Sequence, residues 1–174
     1  LLNLAGQTFS AINCSVLTHT SIRCVAAEGV GYNQRWLVLI GDQWSKASNL
    51  TTSYKRPRID SIYPSRLETR GGEWVTLTGT DFGPADVMNV IHAVAVMPLA
   101  RVGSLGHLVE AQSCTVTQAH VRATCLSARG VGSHHRWNLT AGEQVSAPSV
   151  QTTSYRAPEV LAVQLLVGDQ RRRA

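Results

Sequence analysis

Four cysteines form two closely spaced pairs, and they are the residues of this sequence best suited to covalent chemistry. Cys14 and Cys24 are 10 positions apart, and Cys114 and Cys125 are 11 apart. Neither pair has the CxxC spacing, with histidine nearby, that is typical of a zinc site. These separations suit cysteines that face each other on neighbouring antiparallel strands, so they predict a disulfide within each pair. Persistent disulfides indicate an oxidising compartment; buried free thiols in a cytosolic protein are the alternative.

The other reactive side chains do not form a catalytic or metal-binding set. His134 and His135 are adjacent, and adjacent side chains on a strand point to opposite faces, so they cannot chelate one ion together. Asp81 and Asp86 flank a Gly-Pro loop that lacks the ligand density of an EF-hand. The sequence contains no nucleophile elbow, paired-carboxylate pattern or phosphate-binding loop. We therefore expect no catalysis, no metal and no cofactor.

Three N-x-S/T triplets are candidate N-glycosylation sites if the protein is secreted. Their asparagines are Asn13, Asn49 and Asn138. If the residue after each asparagine points inward, alternation along a strand turns the asparagine outward, where a glycan has room. We expect at least one N-linked glycan. Asn49 and Asn138 are favoured over Asn13, whose neighbour is a predicted disulfide cysteine.

The stretch of sequence that must position the cysteines and the sequon asparagines occurs twice. Residues 24–57 align without a gap with residues 125–158, at a constant offset of 101 positions. The two copies share a Gly-Val-Gly turn, an Arg-Trp pair, a Gly-x-Gln-x-Ser motif and a Thr-Thr-Ser-Tyr motif. A period near 100 residues is too long for a solenoid repeat and is about the length of one β-sandwich domain.

The four tryptophans divide according to this repeat. Trp36 and Trp137 occupy the same repeat position, which favours a place in the core over a role as a carbohydrate platform. Trp44 and Trp74 have no counterpart in the other copy, so we expect them to be exposed and to serve as contact residues.

Short β-branched or aromatic stretches separated by Gly, Pro, Asn and Asp predict an all-β fold. No segment keeps a helical period beyond about two turns. Gly79 and residues 81–83 are expected to end the strand before them. The predicted strands are 15–17, 21–26, 35–40, 51–54, 74–79, 89–97, 115–117, 120–126, 135–140 and 150–155.

Residues 59–83, IDSIYPSRLETRGGEWVTLTGTDFG, resemble the IPT/TIG family, the immunoglobulin-like domains of plexins, hepatocyte-growth-factor-type receptors and fibrocystin-like surface proteins. The matching elements are the Ile-Tyr-Pro motif, the glycine pair, the strand that follows it and the Phe-Gly turn. The downstream cysteines, the Gly-Val-Gly turn and the closing Ser-Tyr…Pro resemble the fibrocystin-type version. The resemblance covers essentially the whole chain and implies tandem immunoglobulin-like β-sandwiches.

The repeat and this resemblance together predict the domain organisation. Residues 1–57 are expected to be the C-terminal part of a first IPT/TIG domain, and residues 58–158 a complete second domain. Residues 159–174 are expected to be the start of a third unit or a linker, so the chain is interpreted as a slice of a longer array, truncated at both ends. The boundary at 55–58 (KRPR) leaves almost no spare linker, which predicts close packing of adjacent units.

Composition excludes some function classes. With 44% hydrophobic and 16% charged residues, the chain is globular, and it contains no run of about 18 apolar residues that could span a membrane. The net charge of +5 comes from scattered basic residues, apart from three arginines at 171–173. Because no basic stripe is interleaved with aromatics, we expect no nucleic-acid binding.

These observations predict a non-catalytic structural and adhesive segment of a large extracellular or cell-surface glycoprotein. The expected partners are other chains of the same or a related surface assembly, polysaccharide and attached N-linked glycans, with a membrane reached only through other parts of the parent chain. The resemblance to fibrocystin-like arrays suggests a ciliary surface or a cell wall. The alternatives are a carbohydrate-binding accessory of a secreted enzyme, a receptor ectodomain and, as a third, a nucleic-acid-binding TIG module.

Overall fold

The computed structural model describes residues 8–85, 92–96 and 108–164, and within these ranges the protein contains sixteen strands and no helix. The predicted all-β class is therefore confirmed. Among the described residues no helix could cross a membrane. The strands of the first copy are β1 (Ile12–Thr18), β2 (Ser21–Val25), β3 (Gln34–Arg35), β4 (Leu39–Ile40), β5 (Gln43–Trp44) and β6 (Thr51–Thr52).

The second copy and the segment before it form two sheets. One sheet has the order β12-β13-β9-β7, and the other has the order β11-β10-β14-β16-β8, with β15 paired to β14. All neighbours are antiparallel except β16 and β8, which are parallel. The strands are β7 (Arg58–Tyr63), β8 (Arg66–Leu67), β9 (Trp74–Thr80), β10 (His92–Val96), β11 (Leu108–Glu110), β12 (Gln112–Gln118), β13 (Arg122–Leu126), β14 (His135–Ala141), β15 (Gln144–Val145) and β16 (Thr152–Tyr155).

Both sheets contribute side chains to one buried cluster. In β9 the apolar residues Val75 and Leu77 are buried, while the threonines between them are partly exposed. This alternation is what the sequence predicts for a half-buried strand. Other members of the cluster come from the sheet that contains β10 and β14 and from the loop after β9. They include Ala93, Ala95, Trp137, Leu139, Ala141 and Phe82.

Strand β9 runs through Gly79 to Thr80, so the glycine lies inside the strand and does not end it. Gly79 pairs with Ile59 next to a bulge in β7. A Cβ atom at position 79 would lie 1.8 Å from the carbonyl oxygen of Arg58. The glycine is therefore required by the close approach of β7, which the sequence pattern did not reveal.

The predicted strand 35–40 is interrupted in the structure. It forms two short strands, β3 and β4, whereas the equivalent residues of the second copy form the continuous strand β14. Strand β14 pairs with β10 along most of its length, and no described strand lies in that position beside the first copy. The partner strand explains the difference, since the two sequences are alike.

The predicted strand 89–97 corresponds to β10 over residues 92–96, and the remainder lies outside the described residues. Strand β10 lies between β11 and β14. Residues 159–164 of the predicted third unit or linker form no strand, and Val160, Leu161 and Val163 are exposed.

Local hydrogen bonds recur in the two copies at the offset of 101 residues. The indole nitrogen of Trp36 donates to the hydroxyl of Thr52 over 3.2 Å, and that of Trp137 donates to Thr153 over 2.9 Å. Other equivalent pairs are Tyr54 N to Gly31 O (3.0 Å) with Tyr155 N to Gly132 O (2.9 Å), and Tyr54 OH to Ala27 O (2.9 Å) with Tyr155 OH to Ala128 O (2.8 Å).

The two copies differ in the burial of equivalent residues, although their local hydrogen bonds are equivalent. Val16, two residues after Cys14, is 68% exposed, while Val116, two residues after Cys114, is 7% exposed. Strand β2 pairs only with β1 in the described residues, whereas its counterpart β13 pairs with both β12 and β9. The first copy therefore has the local hydrogen bonds of the second, but among the described residues no further strand extends its sheets.

Candidate interaction surfaces

Both cysteine pairs are disulfide-bonded. Cys14 is joined to Cys24 across β1 and β2, and Cys114 is joined to Cys125 across β12 and β13. Each pair lies where the register of the two strands shifts, so a bulge directs the first cysteine toward its partner. Among the described residues there is no free cysteine.

The residue before the first cysteine of each pair has a left-handed backbone, with φ of 53° at Asn13 and 49° at Ser113. Asparagine adopts this conformation more readily than most residues. The triplet at Asn13 therefore has a conformational explanation that does not involve a glycan.

The other two sequon asparagines differ in accessibility. Asn49 is exposed, but Leu50 is also 85% exposed and does not point inward as expected. The reason is that Leu50 lies in a turn, where its carbonyl accepts a hydrogen bond from Ser48. Asn138 lies on β14, is partly buried, and donates from its side-chain amide to the carbonyl of Ser146 over 2.9 Å. The geometry favours Asn49, and glycan occupancy stays a prediction.

The tryptophans without a repeat counterpart are both exposed. Trp44 on β5 is 67% exposed and Trp74 at the start of β9 is 60% exposed, and they belong to different sheets. Trp137 is buried in the core, whereas Trp36, at the same repeat position, is only partly buried. A role of Trp44 or Trp74 in partner binding stays a prediction.

An apolar groove of about 390 Å³ lies on the uncovered face of the first copy. It is lined by the Cys14–Cys24 disulfide, by Val16 and Ile22 from β1 and β2, and by Trp36 and Trp44 among others. In the second copy the equivalent strands are extended by β9 and β7 in one sheet and by β10 and β11 in the other, and the equivalent residues belong to the buried cluster. The groove is thus the counterpart of a domain core.

The two copies meet at a small junction that neither the charge pattern nor the motifs indicated. The turn between β14 and β15 places Gly142 against the backbone of Gly31, where an added Cβ would lie 2.6 Å from the Gly31 nitrogen. The side-chain amide of Gln144 donates to the carbonyl of Tyr54 over 3.1 Å. Val30 packs under this turn and belongs to the main buried cluster. The repeat itself could have suggested these residues, since it marks Gly142 and Gln144 as shared positions.

Ionisable groups at the site are few. Among the described residues no three His, Cys, Asp or Glu side chains lie close enough to hold a metal. His134 is exposed and bonds the hydroxyl of Ser133, while His135 is buried with its ring 5.3 Å from that of Tyr155. Their side chains thus lie in different environments. Asp86 lies outside the described residues.

Alkaline pH is expected to destabilise the fold through two tyrosines. Burial raises the pKa of Tyr54 and of Tyr155 above the ordinary 10.0. Each tyrosine has a higher pKa in the folded state than in the unfolded state, so its contribution to the free energy of unfolding is fully present below about pH 10. This contribution is lost as the pH rises through the folded-state pKa values. We expect the free energy of unfolding to fall above about pH 10, and the fall to be smaller in the double variant Tyr54→Phe/Tyr155→Phe. Urea titrations at several pH values measure this, and an unchanged pH slope in the double variant would contradict it.

The strands, the buried cluster and the repeated turns form an all-β fold that is consistent with an immunoglobulin-like module. The family model of the IPT/TIG domain matches residues 57–156. The chain therefore belongs to the IPT/TIG domain family, a class of immunoglobulin-like interaction modules that are generally non-catalytic. No curated protein matches the chain.

Proposed function

We propose that this chain is a non-catalytic structural and adhesive segment of a large extracellular or cell-surface glycoprotein. In this proposal tandem IPT/TIG sandwiches hold a fixed shape and present surfaces to neighbouring proteins or polysaccharide. The single observation that carries the proposal is the junction. The end of one copy directly contacts the turn that follows β14 in the next, with no linker between them.

The junction supports a role as a stiff spacer because its contacts are short and involve the backbone. Gly142 lies against the backbone of Gly31, and Gln144 is 7% exposed and is held by its hydrogen bond to the carbonyl of Tyr54. Limited freedom between modules is what a mechanical spacer requires. The two disulfides support an oxidising location outside the cell, since cytosolic reductants keep most thiols reduced.

Mass spectrometry of the parent protein from its native source tests the extracellular part of this proposal. We expect non-reduced peptides in which Cys14 is linked to Cys24 and Cys114 to Cys125. We also expect an N-linked glycan at Asn49, because this asparagine is exposed and, unlike Asn13, is not next to a disulfide-bonded cysteine. Asn138 serves as the internal comparison, since a glycan there would break its bond to Ser146. Four free thiols and an unmodified Asn49 in the native protein would refute the proposed location.

Carbohydrate binding is a second candidate, and the exposed aromatic residues of the four-stranded sheet favour it. Trp74 and Tyr63 lie on adjacent strands with side chains more than half exposed, and threonines of β9 alternate beside them. Aromatic rings on a flat, hydroxyl-rich sheet suit stacking against sugar rings. Glycan-array binding that is lost in Trp74→Ala and kept in Trp44→Ala would support this function at that sheet.

A further inference from the structure

The sheet that contains β14 presents two arginines and two hydroxyl groups on its outer side. Arg136 on β14 pairs with Thr152 of β16, and Ser154 of β16 pairs with Arg66 of β8. Paired residues of neighbouring strands point to the same side of a sheet, and the residues that alternate with these four are buried in the core. The four side chains therefore face outward, and we call them the arginine face of the second copy.

The first copy carries the same arrangement at an offset of 101 positions. Arg35 on β3 pairs with Thr51 of β6, and Ser53 lies two residues further along. All three residues are exposed. These residues are the arginine face of the first copy, so the pattern of an arginine beside two hydroxyl groups recurs with the repeat.

The serines of the two arginine faces are held in the same way. The hydroxyl oxygen of Ser53 accepts a hydrogen bond from the backbone N–H of Asn33 over 3.2 Å, and that of Ser154 accepts one from the backbone N–H of His134 over 3.1 Å. In the described part of the chain neither hydroxyl donates a hydrogen bond. Each serine therefore keeps a proton that it can donate to a ligand with oxygen acceptors.

The arginines of these faces carry charge that no described carboxylate neutralises. The ion pairs within the described ranges include that of Arg156 with Glu68 at 2.7 Å, and none of them involves Arg35, Arg66 or Arg136. A guanidinium group stays charged at any physiological pH. Its planar fork of donors matches the oxygens of a carboxylate or of a tetrahedral oxyanion such as sulfate.

Neighbouring units leave the arginine face open. The first copy is in contact with the copy that follows it, and Arg35 is still exposed. The second copy has a copy before it and has its strands β7 to β11 in place, and Arg66 and Arg136 are still exposed. The same outer position is thus accessible on a unit with a neighbour after it and on a unit with a neighbour before it.

We propose that the arginine face of each copy binds an acidic polysaccharide, with the guanidinium groups on its carboxylate or sulfate groups and the hydroxyl groups on its sugar oxygens. Because the face recurs once per copy, a linear polymer with repeated charges can contact two copies at once and gain affinity from the second contact. The inference rests on the proposed function and names the kind of polysaccharide that the tandem units would hold.

The composition of the face favours a polysaccharide over a nucleic acid. Proteins that bind single-stranded nucleic acids stack the bases on aromatic side chains. The outward residues of β14 and β16 are Arg136, Asn138, Thr140, Thr152 and Ser154, and none of them is aromatic. Hydroxyl and amide groups instead provide donors and acceptors for the hydroxyl groups of a sugar.

Isothermal titration calorimetry with three polymers tests the proposal. Dextran sulfate carries sulfate groups, polygalacturonate carries carboxylate groups, and unmodified dextran is the neutral form of the first. We expect at least one acidic polymer to bind with a dissociation constant on the order of 10⁻⁵ M at physiological salt, which is typical of contacts driven by charge. Dextran should not bind. Binding of only one acidic polymer would support the proposal and identify the acidic group.

Substitutions of the arginines test whether binding occurs at this face. Arg35→Gln and Arg136→Gln should each weaken the binding of the acidic polymer about fivefold, since each removes a charged donor, and the double variant should weaken it about twentyfold. Each lost contact should also lower the slope of log affinity against log salt by about one. Both positions are exposed, so the urea unfolding midpoints should not change.

The matched control is Arg122→Gln, which removes the same charge from an exposed position on β13 in the other sheet. This variant should bind the acidic polymer like the unmodified chain. Trp74→Ala is the second control, because it alters the sheet proposed for neutral sugars and should also leave this binding unchanged.

Failure of both acidic polymers to bind would overturn the proposal, and so would equal weakening by Arg122→Gln and Arg136→Gln. A single-stranded oligonucleotide that binds more tightly than either acidic polymer, and loses this binding in Arg136→Gln, would assign the face to nucleic acid and also overturn it. The junction is untouched in every variant. A rigid junction in a chain that binds no acidic polymer would therefore refute this inference and leave the proposed function standing.

Discussion

Replacing Gly79 by alanine is expected to lower the free energy of unfolding by about 3 kcal/mol or more, at the upper end of what overpacking costs. The added Cβ would lie 1.8 Å from the carbonyl oxygen of Arg58 and 2.8 Å from the ring of Phe82. A backbone carbonyl cannot rotate out of the way as a side chain can, so β7 must move off β9. The pairing between these strands and the packing of Phe82, which is fully buried, would be lost together.

Gly72→Ala is the matched control for this prediction. An added Cβ at Gly72 meets nothing within 4 Å, but its φ of 83° strains an L-residue, so we expect a cost of only about 1 kcal/mol. Native-state hydrogen exchange of the β9 and β13 amides reports the stability of this part of the chain. Equal losses in the free energy of unfolding for Gly79→Ala and Gly72→Ala would show that β7 does not lie as close to Gly79 as described.

Trp137→Ala should destabilise the protein by about 3–5 kcal/mol, the range typical of a large aromatic residue removed from a core. Trp137 is among the largest fully enclosed side chains, and its indole nitrogen donates to Thr153 over 2.9 Å. Its removal would leave a cavity between the two sheets and an unpaired hydroxyl beside it.

Trp36→Ala makes the same change at the same repeat position, with the same hydrogen bond to a threonine. We expect a cost of about 1–2 kcal/mol, because Trp36 is only partly buried and its removal returns less apolar surface to water. The comparison separates the effect of the core from that of the local hydrogen bond. Equal losses, measured by urea unfolding followed by hydrogen exchange of each copy, would mean that the first copy has a comparable core.

Local features of this protein could be predicted from its sequence because local spacing determines them. The cysteine separations of 10 and 11 placed each pair across two neighbouring strands, and the alternation around Val75 and Leu77 identified a half-buried strand. The missing counterparts of Trp44 and Trp74 correctly indicated exposure. For the cysteines and the strand the information lies within about a dozen residues of the chain, and for the tryptophans it comes from comparing the two copies.

Other features depend on strands that are distant in sequence, and these could not be predicted. The sequence around Gly79 does not show that the carbonyl oxygen of Arg58 lies against it, since that contact forms only when β7 pairs with β9. The break in strand 35–40 likewise goes with the lack, among the described residues, of a strand that pairs with it as β10 pairs with β14. The prediction that Leu50 points inward was wrong, because the hydroxyl of Ser48 and not pairing with a neighbouring strand holds the local backbone.

The junction is the most informative feature that sequence reasoning left unresolved. The alignment marked Gly142 and Gln144 as shared positions, but shared positions in a repeat usually serve the fold of each unit. Only the structure shows that the turn at residues 142–144 also contacts the preceding copy. The turn at residues 41–43 has a similar backbone, and an added Cβ at Gly41 would meet no described atom within 4 Å.

Nitrogen-15 relaxation of the backbone amides tests most directly whether the two copies form one stiff body. A rigid junction predicts a single rotational correlation time for the amides of β1–β6 and for those of β7–β16. Gly142→Ala, which would place a Cβ 2.6 Å from the Gly31 nitrogen, should separate the two values. A shorter correlation time for β1–β6 in the unmodified protein would contradict the account, because the first copy would then tumble independently of the second.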